Sequence, residues 1–116
     1  MKKEIRIKKA EEIERVMKKG QSKANRTFII YKYKNSELNN QKRFAISAPK
    51  KIGNAVVRNH IKRKMRSGIQ EFLGEFENNY DYFIIARPDI LTLDHKTIFK
   101  QMKHGINLHK IRKNLK

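Results

Sequence analysis

Residues 50–66 constrain this chain more than any other stretch. They read Lys-Lys-Ile-Gly-Asn-Ala-Val-Val-Arg-Asn-His-Ile-Lys-Arg-Lys-Met-Arg. Gly53-Asn54 is a turn signal, and the Asn54 side chain can cap the free amides of a helix that starts at Ala55. At about 100° per residue two stripes emerge. Val57, Ile61 and Met65 form an apolar line that Ile69, Phe72, Leu73 and Phe76 continue. Arg58, Lys62 and Arg66 run beside it, with Asn59 and Arg63 adjoining. The spacing predicts one long helix over about 55–78, with one side buried in a core and a neighbouring side cationic.

Like charges four residues apart weaken a helix. A run of charge is ordinarily a solvated face, but such faces mix signs. Here no acid occurs between Glu37 and Glu71. The whole chain has the same bias: 29 Lys and Arg against 11 acids, a formal charge of +18. That much like charge opposes compaction and favours an anionic partner. The free protein is therefore expected to be partly unfolded at low salt. A membrane surface is the less suitable polyanion, because the apolar side of the helix continues into long core residues and the chain has no tryptophan anchor. The N-terminus is not followed by an apolar signal core, and no run reaches spanning length. Absence of cysteine rules out disulfides and cysteine zinc sites and agrees with a cytoplasmic location.

At 116 residues the chain is expected to be a single domain over 1–116. A basic arm at 1–8 and a basic tail at 109–116 are expected to be mobile. Between them, Lys9 to Lys19 reads as a short helix with Gly20 as its stop. Gln21 to Arg26 reads as a loop, and Thr27 to Lys34 as a strand. One face of that strand carries Ile29, Tyr31 and Tyr33. Asn35 to Gln41 reads as a hairpin-type loop, and Lys42 to Ala48 as a second strand. Lys50 to Ile52 is a candidate short third strand. After the long helix come a strand over Tyr80 to Arg87, a loop over Asp89 to Leu93, and a last helix from about Asp94. The class is α+β, in the order α-β-β-β-α-β-α. Strands rather than a second short helix flank the basic helix, which argues against a helix-turn-helix and against DNA.

A protein nuclease needs positioned acids around a metal, or histidines as acid and base. The eleven acids are scattered, and His60, His95, His104 and His109 stand singly. No catalytic residue and no metal site is therefore assigned.

The ordered set Lys51, Gly53, Asn54, Ala55, Val56, Arg58, Asn59, Lys62, Arg63 and Arg66 resembles the arginine–asparagine–arginine signature of the bacterial ribonuclease P protein subunit. One departure is His60, where the family usually has arginine or lysine. Upstream, Gly20, Ser22, Ala24, Asn25, Arg26, Phe28 and Tyr31 resemble the segment joining the family's first helix to its first strand. Downstream, Ile84-Ile85-Ala86-Arg87 resembles the strand after its long helix. The likeness runs from about Arg6 to Leu108.

This resemblance implies a fold like the second domain of a bacterial small-subunit ribosomal protein (S5), with a left-handed strand–helix–strand crossover. It implies an RNA-binding subunit that assists 5′ maturation of precursor tRNA, while the RNA subunit holds the magnesium and performs the hydrolysis. Lys51, Gly53, Asn54, Arg58, Asn59, His60, Lys62, Arg63 and Arg66 would then face the RNA subunit. Ile13, Met17, Ser22, Asn25, Arg26, Ile29, Tyr31 and Tyr33 would line a cleft for the single-stranded 5′ leader, with Lys32 and Lys34 supplying charge beside the rings. Ile13 and Met17 stand where many members have phenylalanine, so a looser leader grip is expected. The protein is expected to bind no cofactor itself, to lower the magnesium requirement, and to be monomeric within the ribonucleoprotein. The alternative is a ribosomal-type structural RNA-binding protein with no role in cleavage.

Overall fold

The computed structural model describes residues 5–111. Three helices and a four-stranded mixed sheet form an α+β domain. The elements are α1 (Ala10–Lys19), β1 (Gln21–Ala24), β2 (Phe28–Lys34), β3 (Lys42–Ser47), α2 (Ala55–Glu71), β4 (Tyr80–Ala86) and α3 (His95–Ile111). The sheet order is β1-β2-β4-β3. β4 pairs antiparallel with β2 and parallel with β3, and α2 makes the crossover between those two parallel strands.

The strand count before the long helix is as expected, but the third strand is a different one. Lys50–Ile52 is a 3₁₀ turn. The missing strand is β1, whose residues read as a loop because an edge strand with exposed side chains needs no apolar alternation. The 35–41 segment is not a hairpin, since β2 and β3 do not pair and β4 lies between them. The Ile84-Ile85-Ala86 run explains the insertion, because a strand apolar on both sides belongs in the middle of a sheet. The 35–41 loop is fastened to the start of β4 instead. The Asn40 amide donates to Asn79 Oδ1 at 2.8 Å and the Asn79 amide to Gln41 O at 2.6 Å.

α2 ends at Glu71, seven residues short of the expected Asn78. A 3₁₀ turn at Leu73–Glu75 follows. The Lys42 ammonium donates to Leu73 O (2.6 Å) and Phe76 O (2.9 Å), satisfying carbonyls that a continuing helix would have used. Glu75 and Glu77 thus lie beyond the helix. They pair with Lys110 of α3 and Lys32 of β2, and so tie elements together.

Two apolar clusters sandwich the sheet. On one face Phe28, Ile30, Phe44, Tyr82 and Ile84 pack under Ile61, Met65 and Ile69 of α2 and Ile98, Met102 and Ile106 of α3. Each such side chain contributes about 1.5–3 kcal/mol on full burial. On the other face α1 buries Val16 against Ala45 and Phe83. Gly20 makes this packing possible, since a Cβ there would sit 2.5 Å from both Lys32 O and Val16 O.

Described parts of both basic ends pack on the fold. Ile7 is buried, and its amide donates to Phe44 O at 2.9 Å, beside the bridge of Arg6 to Phe44. His109 is buried too, and its Nε2 lies 2.8 Å from Ile30 O. Residues 1–4 of the expected arm and 112–116 of the expected tail lie outside the described residues.

Candidate functional site

α2 starts as its sequence demands: Asn54 Oδ1 accepts from the Val57 amide at 3.0 Å. Its apolar line then seats Ile61, Met65 and Ile69 in the core, which aims the remaining faces outward. At about 100° per residue the signature divides into three. Arg58, Lys62 and Arg66 flank the apolar line on one side. Asn59 and Arg63 point to solvent, with Lys51 exposed before the helix. His60 falls on the opposite flank, with Val56 and Lys64, and is thereby separated from the arginine stripe with which the sequence groups it.

Arg58 is half-buried, and its Nε donates to Ala48 O at 2.8 Å. It therefore locks the β3-to-α2 connection as well as presenting charge. A guanidinium has five donors, so one such contact does not exhaust it. Lys62 and Arg66 line a cavity of about 160 Å3 with Arg6, Ile13, Phe44 and Ile46. Arg6 is a cation that periodicity missed, because the bridge to Phe44 that places it there is a tertiary contact. Five acids are committed elsewhere: Glu12 to Arg43 and Arg15, Glu14 to Lys18, Asp81 to Arg43, Glu75 to Lys110 and Glu77 to Lys32. The cations of α2 appear in none of these pairs.

The second surface is the α1 face of the sheet. Register puts Ser22 beside Tyr31 and Ala24 beside Ile29. It also puts Tyr31 beside Phe83 and Ile29 beside Ile85. The Tyr31 and Phe83 rings stack at 6.2 Å. α1 roofs only part of this face. Ile29, Tyr31 and Ile85 are half-buried, Ser22 and Ala24 are exposed, and Ile13 and the 42% exposed Met17 stand at the helix margin. A shallow apolar trough with one open aromatic results.

Three residues expected here sit otherwise. Asn25 spends its side chain on structure: Oδ1 accepts from the Thr27 and Phe28 amides, and Nδ2 donates to Gln101 O of α3 at 2.9 Å. Tyr33 lies at the end covered by α1, with the Arg15 guanidinium 5.5 Å from its ring centroid. Lys32 is buried on the opposite face, 2.6 Å from Glu77 and 4.5 Å from the Tyr80 ring centroid, because a strand alternates its side chains. It cannot supply charge beside Tyr31. Arg26 is exposed at the turn into β2, and Lys34 is exposed at the end of that strand.

The two surfaces meet across β3, the strand whose outer edge carries Ile7. Ile13 and Ala45 from the trough side and Lys62 and Arg66 from the α2 side line the same cavity. Among the described residues no group of three His, Asp or Glu side chains could hold a metal ion, and no helix is long and apolar enough to cross a membrane.

A family model described as Ribonuclease P matches residues 1–110. The ribonuclease P protein component of Bacillus mycoides is 44% identical over 104 residues, covering 90% of this chain and 90% of the relative. That of Streptococcus pneumoniae is 39% identical over 111 residues, covering 96% and 89%. A Staphylococcus aureus RNase P protein mutant, described as defective in mRNA degradation activity, has a similar structure. Its TM-score is 0.86 at 36% identity, over 93% of this chain and 90% of that one. The Thermotoga maritima protein, at 23% identity and TM-score 0.77, covers 85% and 92% and shows the shared fold.

Proposed function

Since the chain belongs to the ribonuclease P protein family and is thus a subunit of that endoribonuclease, acting in tRNA processing, we propose that it works as a two-surface RNA clamp. The outward and β3-side cations of α2 take the RNA subunit, and the trough beside Tyr31 takes the single-stranded 5′ leader of precursor tRNA. Family membership decides against the purely ribosomal alternative.

The observation that carries this reading is the junction of the two surfaces across the β3 edge. A leader strand leaving the apolar trough passes Ile13 and Ala45 and there meets the cations Arg6, Lys62 and Arg66. Substrate and ribozyme are both polyanions. A protein with a formal charge of +18 between them replaces condensed counterions and lowers the cost of bringing them together. Lower dependence on magnesium follows, with the metal serving the RNA. In the trough, bases stack on Tyr31 and pack on Ile29 and Ile85. No side chain of this chain is assigned a step in the hydrolysis. The protein acts in the cytoplasm as a single copy per RNA subunit.

The test is cleavage of precursor tRNA by a bacterial ribonuclease P RNA at low magnesium, with the protein, without it, and with protein alone. Rescue that requires the RNA supports the clamp. Cleavage of precursor tRNA by protein alone would overturn it; the mRNA degradation attributed to the Staphylococcus protein makes that arm necessary.

A further inference from the structure

α2 presents an apolar flank that the clamp does not use. Val56, Val57 and Ile61 face Ile90, Leu91 and Leu93, which lie in and after the 3₁₀ turn at Pro88–Thr92 that follows β4. Together with His60 and Lys64 they enclose an open groove of about 430 Å3. Only three large apolar side chains are strongly exposed among the described residues. Met17 belongs to the trough, while Val56 (78%) and Leu91 (49%) both line this groove. Exposed apolar area gathered into one concavity marks a binding surface rather than scattered surface carbon.

Charge selects the occupant. The polar groups of the rim are His60 and Lys64, and among the described residues no acid lines the groove. The neighbouring acids are engaged: Asp89 accepts from Thr27 Oγ1 at 3.3 Å, and Asp94 caps α3 through the Thr97 amide at 2.8 Å. A second copy of a chain at +18 is repelled from such a rim. A nucleotide suits both parts, with its base against Val56, Leu91 and Leu93 and its phosphate on Lys64. The groove also adjoins the outward Asn59 and Arg63, so an RNA lying on α2 passes its mouth.

We infer that this groove receives one unstacked base of the RNA subunit and forms a third RNA contact on the flank opposite Arg58, Lys62 and Arg66. The inference rests on the proposed binding of the RNA subunit to α2. It also gives His60 a role, as a ring at the groove's rim rather than a member of the phosphate-binding stripe.

The test is the double variant Val56→Ser, Leu91→Ser, bound to a bacterial ribonuclease P RNA across a salt series, with chemical probing of unpaired bases. Both positions are exposed, so the fold is retained, and unchanged circular dichroism checks this. The expected result is about tenfold weaker binding with an unchanged salt slope, because no phosphate contact is lost. One unpaired base protected by the wild-type protein should become reactive. Unchanged affinity and protection, with Arg63→Ala still weakening binding, would overturn the groove and leave the clamp standing. Loss of self-association in the double variant with RNA binding intact would assign the groove to a second copy and overturn it. Failure of the wild-type protein itself to bind the RNA would remove the clamp and the groove together.

Discussion

Arg58 and Arg63 occupy the same signature but answer to different forces. Arg63 is exposed and has no bond among the described residues, whereas Arg58 holds Ala48 O through its Nε. Arg63→Ala should lower the slope of log affinity for the RNA subunit against log salt by about 0.7–0.9 and leave the melting temperature alone. Arg58→Ala should lower the slope and also cost about 1.5 kcal/mol of stability, the contribution typical of a charge-assisted hydrogen bond. Equal behaviour of the two in paired salt titrations and melts would remove the distinction. Tyr31 needs a variant that keeps its packing on Phe83 while removing the phenol ring. Tyr31→Leu should weaken precursor tRNA binding by about 1 kcal/mol with mature tRNA binding unaffected. Loss on both ligands would place Tyr31 in the fold rather than at the leader.

Between elements, an ionic contact ties α1 to the sheet beside the apolar packing of Val16. The Arg43 guanidinium donates to fully buried Asp81 at 2.8 Å and 3.0 Å and to Glu12 of α1 at 3.0 Å. The Asp81 hydrogen bond, opposed by burial and helped by Glu12, holds the Arg43 pKa above its ordinary value. Arg43→Ala leaves Asp81 buried without its counter-ion and should cost about 3 kcal/mol in urea unfolding. Glu12→Gln, at a partly exposed partner, should cost under about 1 kcal/mol. At the other helix, His109 of α3 has its Nε2 on Ile30 O and no partner for Nδ1 among the described residues. Burial pushes its pKa below 6.5, outweighing the Ile30 hydrogen bond; Lys32 and Lys23 push the same way and Glu77 opposes. The unfolded chain therefore binds the proton first. The neutral histidine's contribution is complete above the unfolded pKa and is lost as pH falls from there through the lower folded pKa. Glu75 and Asp94 titrate below that window, their carboxylates being held down by Lys110 and Thr97. Thermal melts from about pH 7.5 to about pH 5.5 should show a falling midpoint in the wild type and a flatter one in His109→Gln. Parallel profiles would clear His109 of the effect.

Over the whole molecule the dominant quantity is charge. Five acids are consumed in internal ion pairs while α2 keeps its cations outward. The folded state concentrates like charge that the unfolded chain spreads out. Anions that occupy the α2 face should stabilise the fold by linkage. Sulfate should raise the melting midpoint more than sodium chloride of equal ionic strength, because binding adds to screening. Identical curves in the two salts would reduce the effect to screening alone.

The residues by themselves determined much of this protein. Val57, Ile61 and Met65 beside Arg58, Lys62 and Arg66 required a helix with a core side and a cationic flank. The alternation in 27–34 required a strand, and Gly20 and Pro49 marked ends that the structure keeps. These are local signals, set by the 3.6 and 2.0 residue periods of the backbone. The tertiary structure decided what no period carries. β1 became a strand only because β2 offers it an edge. β4 slid between β2 and β3 because Ile84 and Ala86 on one face and Phe83 and Ile85 on the other all needed cover. α2 stopped at Glu71 because Lys42, far back in the chain, claims the next carbonyls. The same holds for the surfaces. Lys32 left the trough by strand alternation plus a partner in Glu77. Arg6 joined Lys62 and Arg66 through a bridge to Phe44, and His60 crossed to an apolar groove made by Leu91 and Leu93. Chemistry was written along the chain, but which groups act together depended on contacts between residues distant in sequence, and packing alone supplies those.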